Sequence, residues 1–338
     1  MEMVVSQIRK GGADTVFPNL IPPVESVARA LKYRSDLQSI EPRVRYLMSL
    51  YLSPSITPEV IAEAAASGIT GVKMYPQGVT TNSESGVSAD FLEAYTPVFA
   101  AMQQYDLVLN LHGEWPGSLP SSDISAEEAF LPHLLKLHKD FPRLRCVLEH
   151  CSTAAALDAV RACGPSVVGT ITAHHLYLTG EDSEVDPLAF CKPIPKAPFD
   201  RDALIKAACS GDPKFFFGSD SAPHALASKT GMTSGQAVPA GVFTTPFVSA
   251  LTILAFEGAI KRGIVGEDEV TQERLEHFLS RSGRRFYKLP EPPADGGPRI
   301  VLERLGERVP ESIRSADGTL EIGLSRAGAP IFSLRWID

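Results

Sequence analysis

Short apolar runs alternate with longer amphipathic segments along most of the chain. The runs are rich in β-branched residues and lack strict polar alternation, which is typical of strands buried on both faces. Predicted strands span residues 14–17, 44–52, 71–74, 107–111, 145–149, 167–172 and 214–218. Predicted helices span residues 24–37, 58–67, 89–105, 126–139, 154–163, 200–210, 246–261 and 272–282. This order predicts a parallel sheet with helical crossovers.

The number of predicted strands bears on the fold class. A closed (β/α)₈ barrel needs eight strands, and the pattern gives seven before it dissolves. We therefore expect an α/β, TIM-type barrel whose eighth strand is hidden in the weak 242–252 region or is missing from the beginning. The Pro/Gly-rich stretch LPEPPADGG (289–297) predicts a linker. The expected organisation is a barrel over 1–288 and a linker with a C-terminal extension packed on it over 289–338.

The amino-acid composition of the chain limits which binding partners and which cellular compartment are expected. The chain has 338 residues, with 32 Lys+Arg against 40 Asp+Glu and a net charge of −8, so it lacks the basic balance expected of a nucleic-acid partner. No run of 18 apolar residues predicts a transmembrane helix, and the first residues lack a secretory signal pattern. Five cysteines without a CxxC pair do not form a disulfide framework and favour the reducing cytoplasm.

Polar residues follow several predicted strands at the point where each strand ends. They are Asn19, Lys73, His112, His150, His175 and Asp220. In a βα barrel the carboxyl ends of the strands converge on one face, and that face carries the active site. Lys73, His112 and His150 are separated by 39 and 38 residues, which fits successive βα units. We therefore expect these three side chains to be neighbours at one rim.

The residue types at these strand ends suggest a metal site. Imidazole suits zinc, and a carboxylate completes such sites, so His112, His150 and Asp220 would give three ligands and leave a position for water. A single histidine at a strand end is more often a hydrogen-bonded structural residue, and a single lysine there usually reaches solvent. The alternation of these residues in phase with the strands favours the functional interpretation.

Longer motifs then connect the chain to a known family. They are GVKMYPQGVTTNS (71–83), LHGE (111–114), LEHCST (148–153), FCKPIPK (190–196) and GSDSAPH (218–224). Together with FPNLIPP (17–23) and SGRRFYKLP (282–290), this set resembles dihydroorotase of the single-function bacterial and fungal type, within the amidohydrolase superfamily. The resemblance covers almost the whole chain, in order.

The resemblance implies a binuclear zinc centre in a TIM barrel, with two zinc ions per subunit. Lys73 matches a lysine that carries a carboxyl group on its side-chain nitrogen and bridges the metals. His112 and His150 match ligands of one zinc, and Asp220 matches the aspartate that binds the other zinc and moves a proton. His175 matches no metal ligand, and a role in the core or in supporting the ligands is expected for it.

The resemblance also implies the reaction and its partners. N-carbamoyl-L-aspartate would close reversibly to L-dihydroorotate in de novo pyrimidine biosynthesis. Asn19 and His224 match side chains that bind the substrate carboxylate, and the backbone near Lys192 and Ala240 matches groups that hold the ring. Thr80 and Thr81 match a mobile loop over the substrate. A cytoplasmic homodimer is expected, with no nucleic acid and no membrane.

One family motif is absent from this sequence. The family begins with a strand ending in His-x-His-x-x-Arg, whereas the first histidine here is His112. We expect that the sequence begins after that strand, through truncation rather than natural loss, because every later ligand is kept. Without that motif, one of the two metals would have only Lys73 and Asp220 as ligands, so weak or no activity is expected. Two alternatives stay open, namely another cyclic-amide hydrolase such as a hydantoinase or allantoinase, and a non-catalytic barrel.

Overall fold

The computed structural model describes residues 1–11, 19–231, 237–291 and 298–337. Its strands are β1 (Ser49–Tyr51), β2 (Gly71–Met74), β3 (Val108–His112), β4 (Cys146–Glu149), β5 (Val167–Ile171), β6 (Phe215–Phe217), β7 (Arg299–Glu303), β8 (Ser312–Arg314), β9 (Glu321–Gly323) and β10 (Ser333–Ile337). Its α-helices are α1 (Glu2–Val5), α2 (Ile8–Gly11), α3 (Val27–Ile40), α4 (Pro58–Ala66), α5 (Phe91–Ala94), α6 (Thr96–Tyr105), α7 (Ala126–Asp140), α8 (Ala154–Ala162), α9 (Gly180–Val185), α10 (Pro198–Cys209), α11 (Leu226–Lys229), α12 (Val248–Lys261), α13 (Gln272–Glu276) and α14 (Ser282–Phe286). The architecture is α/β, as predicted.

The chain divides into two compact units. The first unit is Asp14–Thr170, and the second unit combines Met1–Ala13 with Ile171–Asp338. In the first unit β1, β2, β3, β4 and β5 are parallel neighbours in that order. The register pairs Lys73 with Asn110 and His112 with Glu149, so the carboxyl ends of these strands meet at one edge of the sheet.

Local sequence explains where the helices of the first unit begin. The Thr57 side chain accepts a hydrogen bond from the amide of Val60, and Pro58 occupies the first helical position of α4. At α7, Ser125 and Glu128 form a reciprocal capping box. These starts agree with the sequence prediction.

Several predicted elements differ from the structure. The strand predicted over 44–52 is shorter, since β1 covers Ser49–Tyr51. Within the weak 242–252 region, Val242 makes one isolated parallel bridge to Ser221, and the segment from Val248 onward is helix α12. The helix predicted over 272–282 is interrupted by a π-helical segment, His277–Arg281. The strand predicted over 14–17 lies outside the described residues.

The C-terminal segment contributes to the core of the second unit. The antiparallel pairs are β7 with β10 and β8 with β9. Ile322 on β9 is 3% exposed and packs in a cluster with Val248 and Leu251 of α12. The amide of Ser325 donates to the carbonyl of Phe243 at 3.2 Å. The segment therefore shares one apolar core with the helices that precede it.

The two tryptophans of the chain lie in different units. In the first unit, the indole of Trp115 stacks on the imidazole of His133 with ring centroids 4.1 Å apart. In the second unit, the indole N–H of Trp336 donates to the carbonyl of Arg9 at 2.8 Å, and the Arg9 guanidinium lies 4.3 Å from the indole centroid. Across the described segments, no helix combines the length and the apolar character that a bilayer crossing requires.

Candidate active site and metal centre

Three of the predicted metal ligands lie at the carboxyl ends of neighbouring strands in the first unit. Lys73 is on β2, His112 ends β3 and His150 directly follows β4. Their exposed fractions are 1%, 2% and 2%. The rings of His112 and His150 meet edge to face with centroids 4.6 Å apart. The structure therefore brings two buried imidazoles together at the edge of the sheet that also carries the lysine.

Glu114 fixes the orientation of His112. One carboxylate oxygen of Glu114 lies 2.7 Å from Nε2 of His112, and the carboxylate is 3% exposed. A carboxylate on one ring nitrogen is the usual partner of a metal-binding histidine, because it sets the tautomer and the orientation of the ring. The arrangement around His112 is therefore suited to metal ligation.

Tyr75 lies beside both Lys73 and His112. Its ring centroid is 5.3 Å from the Lys73 side-chain nitrogen and 6.2 Å from the His112 ring centroid. Tyr75 also stacks on Tyr51 of β1 at 5.1 Å. The Lys73 side chain is therefore buried against the face of Tyr75.

A buried hydrogen-bond network holds the backbone at His150. The amide of His150 donates to Oγ1 of Thr170 at 2.7 Å, and the Thr170 hydroxyl donates to Glu149 at 2.6 Å. Asn110 Nδ2 donates to the other oxygen of Glu149 at 2.7 Å. His150 itself has a φ of 45°, which lies in the left-handed region. The network therefore maintains a backbone conformation that a histidine rarely adopts.

Glu127 of α7 holds the loop that follows His150. Its carboxylate accepts from the amide of Ser152 at 2.9 Å, from the Ser152 hydroxyl at 3.0 Å and from the Thr153 hydroxyl at 2.6 Å. Glu127 is 1% exposed. Thr153 in turn caps α8 through the amide of Ala156. One buried carboxylate thus fixes both the loop after His150 and the start of the next helix.

Two predicted substrate-binding segments of the first unit are joined. Asn19 Nδ2 donates to the carbonyl of Thr81 at 2.9 Å. Thr80 lies in the same turn, where its amide donates to the Ser83 hydroxyl at 3.0 Å and its carbonyl accepts from that hydroxyl at 2.6 Å. The turn is therefore built by its own hydrogen bonds and carries both predicted threonines.

Asp220 and His224 belong to the second unit. Asp220 follows β6, is partly exposed and has a φ of 38°. Nε2 of His224 lies 2.9 Å from the carbonyl of Ala240, which joins two of the predicted substrate-binding positions. Burial lowers the pKa of His224. The hydrogen bond to Ala240 raises it, and the positive charge of Lys229 lowers it, so that the net shift is downward. Neutral imidazole is therefore the favoured form of His224 at neutral pH.

Lys229, at the end of α11, supports the same segment. Its ammonium donates to the carbonyls of Phe190, Pro239 and Gly241 at 2.9, 3.0 and 2.9 Å, and the residue is 2% exposed. Burial lowers the pKa of Lys229 to about 8. The ammonium therefore ties the residues on both sides of Ala240 to Phe190, which lies two residues before the half-buried Lys192.

Sequence reasoning did not identify Glu114, Glu127 or Lys229. Glu114 stands inside the LHGE motif, so its position beside a candidate ligand was a usable signal. Glu127 acts on Ser152 and Thr153, 25 and 26 residues away, and Lys229 acts on backbone carbonyls. Neither of these two leaves a local pattern in the sequence.

Comparison with known proteins places this chain in a family. The amidohydrolase family model matches residues 39–240. A protein named probable dihydroorotase from Schizosaccharomyces pombe is 49% identical over 315 residues, covering 93% of this chain and 88% of the relative. The dihydroorotase of Saccharomyces cerevisiae is 39% identical over 351 residues, covering 99% and 93%.

A solved structure supports the same assignment. The crystal structure of dihydroorotase from Saccharomyces cerevisiae in complex with 5-fluoroorotic acid matches this chain with a TM-score of 0.88 and 39% identity, covering 99% of this chain and 93% of that one. This similarity and the parallel βα order establish the α/β, TIM-type barrel class that the sequence predicted. The chain belongs to the amidohydrolase family and, within it, to the dihydroorotases.

Proposed function

We propose that this chain catalyses the reversible closure of N-carbamoyl-L-aspartate to L-dihydroorotate in pyrimidine biosynthesis, and that it does so weakly, because the His-x-His-x-x-Arg motif is absent from the sequence. The observation that carries the proposal is the buried group of Lys73, His112 and His150 at neighbouring strand ends, in a chain 49% identical to a relative named dihydroorotase. Opening and closing a cyclic amide requires an activated water and a polarised carbonyl, and a metal-ligating site at strand ends suits both needs.

The donor set fits a divalent zinc held by His112 and His150, whereas the second of the two ions per subunit in the family that the sequence resembles would have only Lys73 and Asp220 as ligands. Two buried imidazoles, one of them oriented by Glu114, are preferred zinc ligands. An ammonium on Lys73 would repel cations, whereas a carbamate on the same nitrogen is anionic and offers two oxygens. Bound zinc would supply Lewis acidity and lower the pKa of a water molecule. Lys73, His112, His150 and Asp220 are the residues proposed to hold it.

The remaining chemistry falls to residues of this chain. Asp220 is proposed to take the proton from the attacking water and deliver it to the ring nitrogen that leaves, which is the general acid and base role. Asn19 and His224 are proposed to bind the substrate carboxylate, with Thr80 and Thr81 closing over it. The backbone at Lys192 and Ala240 is proposed to hold the ring.

Replacement of Asp220 tests the proposal. Asp220→Asn keeps the shape of the side chain and removes the base, so kcat for L-dihydroorotate should fall by about 10²–10⁴-fold. Asp158→Asn, at an exposed position of α8, is the matched control and should leave kcat unchanged. Equal activity of wild type and Asp220→Asn would contradict the assigned role.

The choice of substrate separates the alternatives. Wild-type protein should turn over L-dihydroorotate in preference to hydantoin and allantoin. Turnover of hydantoin or allantoin alone would indicate a different cyclic-amide hydrolase. Bound metal with no turnover of any of the three would indicate a non-catalytic barrel.

We also infer the organisation and surroundings of the protein. The proposed barrel spans 1–288 and the linker with its C-terminal extension spans 289–338, supported by the packing of Ile322 against α12. A homodimer is proposed from the family resemblance, and its test is the molar mass by light scattering. The five cysteines are buried and form no disulfide among the described residues, which supports a reducing, cytoplasmic location.

A further inference from the structure

A second group of metal-ligating side chains lies in the second unit. His174 and His175 follow β5 in a short 3₁₀ turn, and Cys191 lies in the segment that leads to α10. One ligand atom from each of the three residues falls within 4.8 Å of the others. The exposed fractions of the three residues are 0%, 1% and 1%. The group contains none of the residues proposed above as ligands.

His174 has an unusual environment. Among the described residues, neither ring nitrogen of His174 has a hydrogen-bond partner, although the side chain is fully buried. Buried polar atoms are nearly always hydrogen-bonded, and one without a partner signals strain, a functional role, or a water or ion at the site. Its ring centroid lies 4.7 Å from that of His175. His174 therefore presents an unsatisfied donor group to the cluster.

The other two residues are held in place by their surroundings. Nδ1 of His175 lies 2.7 Å from the Thr172 hydroxyl, and Nε2 lies 3.1 Å from the carbonyl of Pro193. The Cys191 thiol donates to the same carbonyl at 3.4 Å. A hydrogen bond on one imidazole nitrogen commonly orients a histidine that binds a metal through the other. His175 would exchange one of its two contacts for a metal ion and keep the other.

We propose that His174, His175 and Cys191 form a separate buried site for a zinc-class divalent cation. Two imidazoles and a thiolate are nitrogen and sulfur donors, which suit zinc and exclude magnesium and calcium. Binding would displace the thiol proton of Cys191 to solvent, since the thiolate is the ligand form. The site shares no residue with those proposed above for the reaction, although Cys191 directly precedes Lys192 in the chain.

The spacing in the cluster permits ligation after a small adjustment. Ligand atoms about 2.0–2.3 Å from a tetrahedral zinc lie about 3.3–3.7 Å apart. The present separations of up to 4.8 Å therefore need a contraction of about 1 Å, which side-chain rotation can supply. Burial also lowers the pKa of His174 well below its ordinary value, with His175 adding to the effect, so the ring is neutral.

Cobalt substitution tests this site directly. The 338-residue chain, stripped of metal and reloaded with Co²⁺, should show a thiolate-to-cobalt charge-transfer band in the near ultraviolet. The site of Lys73, His112, His150 and Asp220 contains no sulfur and cannot produce this band. Cys191→Ser should abolish the band and lower the bound cobalt by one ion per chain. Cys209→Ser, at another buried cysteine of the second unit, should keep both.

Each outcome decides the proposal. Absence of the band in wild-type protein at saturating Co²⁺ overturns it, and would indicate that water or strain accounts for His174. Persistence of the band in Cys191→Ser also overturns it, because the sulfur then comes from another residue. His174→Gln should weaken cobalt binding at this site while circular dichroism stays unchanged. Turnover of L-dihydroorotate in the same samples reports on the proposed function separately.

Discussion

His150 and Asp220 both adopt left-handed backbone conformations, with φ values of 45° and 38°. A residue with a Cβ atom is strained in this region, at a cost of about 1–3 kcal/mol, and such strain concentrates at functional sites. The two residues are proposed as a metal ligand and a proton carrier. The strain is consistent with positions chosen for chemistry at the expense of stability.

Substitution at Asp220 tests this strain. Asn tolerates left-handed backbone, whereas β-branched Val does not, so Asp220→Val should lower the free energy of unfolding by about 1–2 kcal/mol relative to Asp220→Asn. Urea denaturation of the two variants measures the difference. Equal midpoints and slopes for both variants would show that the backbone at Asp220 is relaxed.

The charge on Lys229 gives a pH-dependent prediction. Burial lowers its pKa from the ordinary 10.5 to about 8, while the nearby Cys191 and Asp186 act in the opposite direction. Between these two values the unfolded chain binds more protons than the folded chain, so stability rises with pH over that window. The stability of wild type relative to Lys229→Met should therefore increase from pH 8 towards 10.5.

Chemical denaturation at pH 7.5 and pH 9.5 measures the effect of Lys229. Lys206→Met, which removes an exposed lysine of α10, is the matched control and should show no such change against wild type. Parallel pH profiles for wild type and Lys229→Met would show that the lysine titrates normally in the folded protein.

At the scale of elements, α7 and α8 are coupled through Glu127. The carboxylate on α7 accepts hydrogen bonds from Ser152 and Thr153, and Thr153 caps α8. Ser152 and Thr153 lie in the short loop between His150 and α8. The position of a proposed metal ligand therefore depends on the contact between two helices outside the sheet.

Removal of this carboxylate should affect both stability and metal binding. Glu127→Ala leaves several buried donors without an acceptor and should lower the free energy of unfolding by about 3 kcal/mol. Metal affinity should fall with it, as is usual when residues that orient ligands are lost. Thermal unfolding and metal titration measure the two effects.

Two further variants control the Glu127 experiment. Asp140→Ala, at the exposed end of α7, should change stability by less than about 0.5 kcal/mol. Glu127→Gln keeps one acceptor oxygen and should lose less stability than Glu127→Ala. A loss of similar size in Asp140→Ala would show that general weakening of α7 is the cause.

The elements also show how far the sequence could predict the structure. The strand predicted over 71–74 matches β2 at both ends. Over 44–52 the prediction was too long, because Val44, Tyr46 and Met48 are buried without belonging to a strand. An apolar pattern reports burial and cannot separate a paired strand from a loop packed beneath the sheet.

The residues of the candidate site also differ in whether the sequence could predict their positions. Strand ends follow from the apolar pattern, so the positions of Lys73, His112 and His150 could be predicted from their phase with the strands. Contacts such as Glu127 with Ser152, or His174 with Cys191, join residues that are far apart in the chain. These contacts depend on tertiary packing, which leaves no periodic signal.

At the scale of the molecule, the C-terminal segment is part of a core. Ile322 is 3% exposed and packs with Val248 and Leu251. Ile322→Ala should therefore lower the free energy of unfolding by about 2–5 kcal/mol. Ile337→Ala, at a residue that is 42% exposed, is the control and should cost less than about 0.5 kcal/mol.

Calorimetry extends the test of Ile322. If the C-terminal segment folds with α12, Ile322→Ala should shift the unfolding of the second unit as one cooperative transition. A separate early transition confined to residues 298–337 would instead indicate an independent module.

The tryptophans at 115 and 336 give the protein a built-in pair of optical reporters. One indole rests on an imidazole ring and the other beneath a guanidinium, so their emission spectra should differ and respond to different events. In Trp115→Phe the remaining tryptophan emission comes from the second unit, and in Trp336→Phe it comes from the first unit. Recording the emission of both variants through a denaturant series shows whether the two units unfold together or in succession, without an attached dye.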